Sequence, residues 1–265
     1  MLELLQQVFQ QVRGYMHSDS FSRQEVFSTS PEHLTMQFDR EAEDIIISGL
    51  IESRHGFEVI SEERPPFNTG QNPPYRIVID PVDGSTNVQR GIMTASVALA
   101  VLSIDAPITP QNVQWALVGE LFSGTVYEAS RGGGAFCNGK RCQVSETKRL
   151  SECLMGLNLD GRDRNALRRL LIDEPPPGYI RRSGSSALDI VYVANGAYDA
   201  YADVGDVITA ESFLASTTIV LEAGGIVSDS AGRPLRPVQN LTEGYSLVAS
   251  STKTLHAEIL SRLKS

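Results

Sequence analysis

The sequence predicts a layered α+β fold, and three observations carry that expectation. Apolar residues recur at helical spacing near the start of the chain, strand patterns separated by turns fill residues 57–129, and apolar helices mixed with strands follow from about residue 160. Helices, then a meander sheet, then a second sheet with helices of its own describe layers rather than a simple Rossmann alternation. At 265 residues, 41% of them hydrophobic, the chain can bury a large core as one thick domain spanning 1–265, built from a half at 1–150 and a half at 151–265.

Each element has its own signal. Leu2, Leu5, Val8, Phe9 and Val12 mark a first amphipathic helix ending near Gly14, and a polar stretch at 18–32 follows, with Pro31 in a loop or hairpin. Asp39 opens a second helix whose buried face carries Ala42, Ile45, Ile46 and Leu50; an Asp there also reads as an ordinary cap worth about 1 kcal/mol. Phe57 to Ile60 form a strand ending in Ser61-Glu62-Glu63, and the Pro/Asn/Gly-rich segment at 65–75 reads as an exposed loop. Strands at 96–102, 113–120 and 125–129 make an antiparallel meander. Residues 131–136, Arg-Gly-Gly-Gly-Ala-Phe, lack the Gly-Lys-Ser/Thr ending of a phosphate loop and read as a turn; Asn138-Gly139 marks another. Helices are expected at 163–171, 185–195 and 213–221, the last closed by Glu222-Ala-Gly-Gly225, with strands at 200–204, 226–228 and 246–249 and a closing helix at 255–263.

The organising stretch is Ile77-Val78-Ile79-Asp80-Pro81-Val82-Asp83-Gly84-Ser85-Thr86-Asn87. A buried strand delivers one carboxylate, a proline turn delivers a second, and Ser85, Thr86 and Asn87 are residue types that start helices. Strand, carboxylate, turn, carboxylate and helix start together suit a divalent cation next to an anion. The same letters also spell an ordinary surface turn, and they lack the alternating spacing of an EF-hand. Glu62, at the end of the preceding strand, is placed to converge on the same cation.

Charge and composition narrow the function classes. A net charge of −9 argues against nucleic acid as a partner, although a bound cation would still admit an anionic substrate. No apolar run approaches a membrane span, and residues 1–7 lack the basic segment and cleavage site of a signal peptide. Cys137, Cys142 and Cys153 are sparse and lack a zinc spacing, so a reduced, cytoplasmic protein is expected.

Asp80-Pro-Val-Asp-Gly-Ser-Thr-Asn87, the upstream Ser61-Glu-Glu63, Gly134-Ala-Phe-Cys-Asn-Gly139 and Glu222-Ala-Gly-Gly225 together resemble the inositol monophosphatase family of magnesium-dependent, lithium-sensitive phosphatases. The spacing around Asp203-Val204 looks more like the archaeal-type members, which act on both inositol monophosphate and fructose 1,6-bisphosphate. The resemblance implies a five-layered αβαβα sandwich, a homodimer, two or three Mg²⁺ ions held mainly by the 1–150 half, and hydrolysis of a small phosphorylated polyol or sugar. It implies that Glu62, Asp80 and the Val82 carbonyl hold a first Mg²⁺, that Asp80 and Asp83 share a second, and that Ser85 orients the attacking water with Asp39 accepting its hydroxyl. Gly84 and Ser85, with Thr86, would hold phosphate through the helix start, and Gly184, Ser185 and Asp203 would face the substrate hydroxyls. Arg181 and Arg182 read either as receptors for a second phosphate or as a solvated surface pair.

One position departs from the family pattern. Where the family has a further metal-binding Asp, ten residues before the Glu of Glu-Ala-Gly-Gly, this chain has Ser212, preceded by Glu211. Either Glu211 turns into the site, against the roughly 100° offset between helical neighbours, or the second metal is weak and the chain is a slowed phosphatase. The rival from another class is a family member that binds a phosphate ligand or a protein without turnover. A 3′-phosphoadenosine phosphatase is a third reading and would need an adenine slot.

Overall fold

The computed structural model describes residues 1–29, 34–173 and 175–264. Leu5, Val8, Phe9, Val12 and Met16 fall on one buried face of helix α1 (Leu2–Met16), as the i, i+3, i+4 spacing requires. A short antiparallel pair, β1 (Val26–Thr29) and β2 (Leu34–Met36), leads into α2 (Gln37–Glu52). Pro31, where a loop or hairpin is expected, lies outside the described residues. Next come β3 (Phe57–Ser61), β4 (Phe67–Asn68), β5 (Tyr75–Asp83), α3 (Ser85–Arg90), β6 (Ser96–Ser103), β7 (Trp115–Glu120), β8 (Val126–Ser130), β9 (Gly134–Cys137) and β10 (Lys140–Arg141). The second part has β11 (Leu154–Leu157), α4 (Arg164–Leu171), β12 (Tyr179–Arg181), α5 (Ser186–Val191), β13 (Ala200–Ile208), α6 (Ala210–Glu222), β14 (Ile226–Ser228), β15 (Tyr245–Ser250) and α7 (Lys253–Lys264).

Two sheets carry the architecture. The first has the order β10-β9-β8-β7-β6-β5-β3-β4, with β3 and β5 parallel and the other neighbours antiparallel. The second has the order β12-β11-β13-β15-β14, with β11 parallel to both of its neighbours. One apolar core lies under α1 and α2 on the outer face of the first sheet, and a second joins both sheets through α5 and α6. A third lies under α4 and α7 on the far face of the second sheet. Helices, sheet, helices, sheet, helices: this is the expected five-layered αβαβα sandwich. A strand with helices on both faces needs apolar residues on both sides, which is why Ile77, Val78 and Ile79 form an unbroken apolar run.

The helix–sheet spacing on the outer face depends on one missing side chain. The Phe9 ring of α1 lies directly on Gly119 of β7, where a Cβ would fall 2.4 Å from a ring carbon.

Several boundaries differ from the sequence expectation, each for a local reason. The helix expected at 185–195 is regular only over 186–191, because Val193 and Ala194 bond three residues back, to Ile190 and Val191, and tighten the chain into turns. The helix expected from Phe213 begins at Ala210, which brings Glu211 and Ser212 into its first turn. The turn expected at 131–136 is confined to 131–133, and Gly134 already pairs with Ser130 in β9. Strands β11 and β12 carry no alternating pattern and only three or four residues each, so pairing alone reveals them.

His256 of α7 is buried between two serines, with Nε2 2.9 Å from Ser228 Oγ and Nδ1 2.7 Å from Ser250 Oγ. Burial holds its imidazole below the ordinary 6.5. The unfolded chain therefore binds that proton more readily than the folded one, and this contribution to stability is lost as pH falls through and below 6.5. Two measurements follow. Urea denaturation of Gly119→Ala should show a loss of about 1–3 kcal/mol from overpacking against Phe9. His256→Gln should lose less stability than the parent between about pH 7.5 and about pH 5.5; equal slopes would remove His256 from the acid sensitivity.

Candidate active site

The site begins where β5 stops being regular. Pro81 has no N–H to give the ladder, and the pairing with β6 shifts register between Asp80 and Asp83. Asp80 and Asp83 stand on either side of that irregularity, paired with Ala98 and Ser96, and Gly84 follows at φ 105°, a backbone conformation that favours glycine. A Cβ at Gly84 would also lie 3.2 Å from the Thr94 carbonyl oxygen, so the turn is tight as well as left-handed. Parallel pairing of β3 with β5, Ser61 opposite Ile79, brings Glu62 out at the same end of the sheet as Asp80.

A cleft of about 490 Å³ opens at this edge. Glu62, Asp80, Val82, Asp83 and the turn from Gly84 to Asn87 line one side; Gly184, Arg182, Asp160 and Ser212 arrive from the second part of the chain. Ser85 Oγ lies 2.7 Å from Asp39 Oδ1 and 2.8 Å from the Val82 carbonyl oxygen, donating toward both acceptors. The other oxygen of Asp39 accepts from the Met36 N–H at 3.0 Å, so this residue caps α2 and holds Ser85 at once.

Asp83 Oδ2 accepts from the Ser185 hydroxyl and, at 2.8 Å, from the Ala187 N–H. Those bonds moderate the effect of burial, and the Asp83 carboxyl is pushed up to about 6. Asp80 is 2% exposed; Ser212 Oγ donates to its Oδ2 at 3.1 Å, while its buried Oδ1 has no hydrogen-bond partner among the described residues. Burial, followed by the charges of Glu62, Asp83 and Glu211, drives the Asp80 carboxyl well above its usual range. Burial does the same to Glu62, reinforced by Glu211, Glu63, Asp39 and Asp83.

No three of the described His, Cys, Asp or Glu side chains close up into a finished ligand group. The donor chemistry nevertheless fits a hard divalent cation: the donors are oxygens, their charges repel one another, and the buried Asp80 Oδ1 on the cleft wall has no hydrogen-bond partner among the described residues.

The inositol monophosphatase family model matches residues 2–265. The chain belongs to the inositol monophosphatase family. An inositol-1-monophosphatase of Mesorhizobium japonicum is 33% identical, with 83% of this chain and 79% of that protein covered. A fructose-1,6-bisphosphatase/inositol-1-monophosphatase of Thermococcus kodakarensis is 30% identical, covering 87% and 83%. Among solved structures, the extragenic suppressor protein suhB of Bartonella henselae superposes with a TM-score of 0.85 at 26% identity, covering 99% of this chain and 98% of that one. The family is one of phosphatases, and relatives named for inositol monophosphate and for fructose 1,6-bisphosphate are both among those matched.

Most residues singled out by their resemblance to this family meet at the cleft, but two are placed otherwise. Asp203, expected to face substrate hydroxyls, is fully buried, with Oδ1 2.8 Å from Arg162 Nε and Oδ2 2.7 Å from Arg162 Nη2. The Tyr201 hydroxyl adds a third donor at 3.2 Å. Burial still raises the Asp203 carboxyl, against the opposing pull of Arg162. A carboxylate already committed to a bidentate guanidinium is not offered to a ligand. Ser185 is also buried, and its hydroxyl serves Asp83 rather than the open cleft.

Asp160 and Arg182, an ion pair, occupy that side of the cleft instead. Asp160 has no signal in the sequence, since no motif surrounds it in Leu159-Asp160-Gly161-Arg162. Arg181 turns back to the Ile180 carbonyl at 2.9 Å, away from its neighbour's role. Glu43 was missed as well. Fully buried on α2, it accepts from Arg64 Nε at 2.5 Å and from Arg40 Nη1 at 3.2 Å, and Arg40 also bonds the Glu63 carbonyl at 2.9 Å. The helix that carries Asp39 thereby also ties down the loop that carries Glu62.

Ser185→Ala should cost about 1.5–3 kcal/mol, the range for a hydrogen bond to a charged group. Urea denaturation at unchanged m-value checks it, and a cost near zero would mean that Asp83 does not need this donor.

Proposed function

We propose that the chain is a magnesium-dependent phosphomonoesterase acting on a small phosphorylated polyol or sugar, with inositol monophosphate and fructose 1,6-bisphosphate as the first substrates to try. The observation that carries the reading is the Asp39–Ser85 hydrogen bond standing beside Asp80 at the floor of the cleft. Glu62, Asp80, Asp83 and the Val82 carbonyl are the oxygens that would hold magnesium. When bound there, magnesium supplies positive charge that neutralises the phosphate and makes a water molecule more acidic.

The remaining work falls to the chain's own groups. Ser85, its proton directed at Asp39, accepts a hydrogen bond from the attacking water and turns a water lone pair toward phosphorus. Asp39 is the group within reach to take up the proton passed through Ser85. The backbone at Gly84, Ser85 and Thr86 faces the phosphate, and positioning plus charge is most of what phosphoryl transfer asks of a protein. In this reading the 1–150 half provides the cation and water machinery. The 151–265 half closes the site through Gly184, Arg182, Asp160 and Ser212.

Phosphate release from inositol 1-phosphate and fructose 1,6-bisphosphate across a magnesium titration tests this. Turnover should rise from zero with magnesium, vanish with chelator, and fall by ~10²–10⁴ in Ser85→Ala, the usual contribution of positioned proton transfer. Release that ignores chelator, or that Ser85→Ala leaves untouched, would sink the mechanism. Absence of release from either ester at any magnesium concentration would instead favour the non-catalytic family member.

A further inference from the structure

The cleft has two kinds of wall. Glu62, Asp80, Asp83, the Val82 carbonyl and the turn from Gly84 to Thr86 are taken up by cation and phosphate in the reading above. The organic part of the ester meets the remainder, where the charged groups are Asp160 and Arg182. Among the described residues that line the cleft, Arg182 is the one cationic side chain.

Arg182 is already engaged. Its Nη2 donates to Asp160 Oδ2, and its Nε donates to Asn158 Oδ1 at 3.3 Å. The turn that carries Asp160 is anchored from beneath. Arg162 Nη1 donates to the Asp160 carbonyl at 2.7 Å, while Nε and Nη2 of the same guanidinium are locked on the buried Asp203. That backbone also lies hard against β13: at Gly205, φ 104°, a Cβ would fall 2.7 Å from the Asp163 nitrogen. A solvated ion pair ordinarily adds little to stability. Stability therefore does not explain a pair that is clamped from below by a buried guanidinium and faces a cleft.

We infer that the Asp160–Arg182 pair is the specificity element of the cleft, receiving the hydroxyls of a phosphomonoester and turning away a substrate that carries a second phosphate. The inference rests on the phosphatase reading and narrows its substrate class to polyol or sugar monophosphates. A carboxylate has about four acceptor positions and a guanidinium five N–H donors, so the paired groups keep both kinds of partner for hydroxyls, which donate and accept. A second phosphate, mostly dianionic at neutral pH, offers acceptors almost alone. To bind it, Arg182 would have to leave Asp160, and an unpaired carboxylate would then face the negative phosphate. Arg181 does not relieve this, because it turns back to the Ile180 carbonyl and is not part of the cleft lining.

Initial rates of phosphate release from inositol 1-phosphate, inositol 1,4-bisphosphate and fructose 1,6-bisphosphate at saturating magnesium test this. The parent should show its highest kcat/KM on the monophosphate. Asp160→Asn keeps the shape of the side chain but leaves Arg182 without its counter-charge. It should move the kcat/KM ratio toward the bisphosphates by about tenfold or more, mainly through KM. Arg182→Gln should raise KM for inositol 1-phosphate by a similar factor, with no larger loss on the bisphosphates. A merely structural role would lower Tm and depress all the esters alike, so equal losses in Asp160→Asn overturn the inference. A parent that prefers a bisphosphate overturns it too, as does a loss in Arg182→Gln confined to the bisphosphates, which would make Arg182 a phosphate receptor. In each of those cases the phosphatase reading survives. A parent that releases phosphate from none of these esters overturns that reading, and this inference with it.

Discussion

The bond on which this structure depends most is the one between Asp83 and the start of α5. One carboxylate oxygen, delivered by the irregular end of the first sheet, accepts from both the Ser185 hydroxyl and the Ala187 N–H across the central layer. Asn87 reinforces it from the following helix, donating to the Ser183 carbonyl at 2.9 Å and the Thr94 carbonyl at 2.8 Å. Buried polar atoms like these are costly unless paired, so the pairing sets how the two sheets stand relative to each other at this one edge. The cleft is the gap left beside that joint.

Burial of Asp80 beside Glu62 and Asp83 runs against the stability of the apo fold. Their carboxyls are all raised by loss of solvent, that of Asp80 also by the charges of Glu62, Asp83 and Glu211, and that of Glu62 by Glu211, Glu63, Asp39 and Asp83. A sequence chosen for stability alone would place apolar or paired residues at the ends of β3 and β5. Local rules broken at one place, inside a fold that obeys them elsewhere, are the physical mark of a working site. Two apolar cores, one on each face of the first sheet, flank the site and offset that cost.

The helix α2 shows how few residues maintain that arrangement. Asp39 divides its two oxygens between the helix's own Met36 N–H and Ser85. One turn later, Glu43 gathers Arg40 and Arg64 and thereby fixes the chain just after Glu62, at Glu63 and Arg64. The cap reading of Asp39 and the partner reading were posed as alternatives from sequence; two oxygens on one carboxylate let both hold.

By itself the sequence determined the periodic elements and the family. The apolar runs of β5 and β6, the spacing of α1, and the Asp-Pro-Val-Asp-Gly-Ser turn are local properties, written in adjacent letters. The short strands β11 and β12 were not legible, since a three- or four-residue strand exists only through its neighbours. The partner of Asp203 was not legible for the same kind of reason: nothing near it in sequence announces Arg162, 41 residues away, which bonds its carboxylate. The start of α6 at Ala210 rather than Phe213, and with it the place of Glu211 and Ser212 beside Asp80, was likewise decided by packing between the two sheets. Sequence sets what each segment prefers over a few residues. Which charges end up facing one another is set by contacts between segments far apart in the chain, and only the tertiary structure makes those.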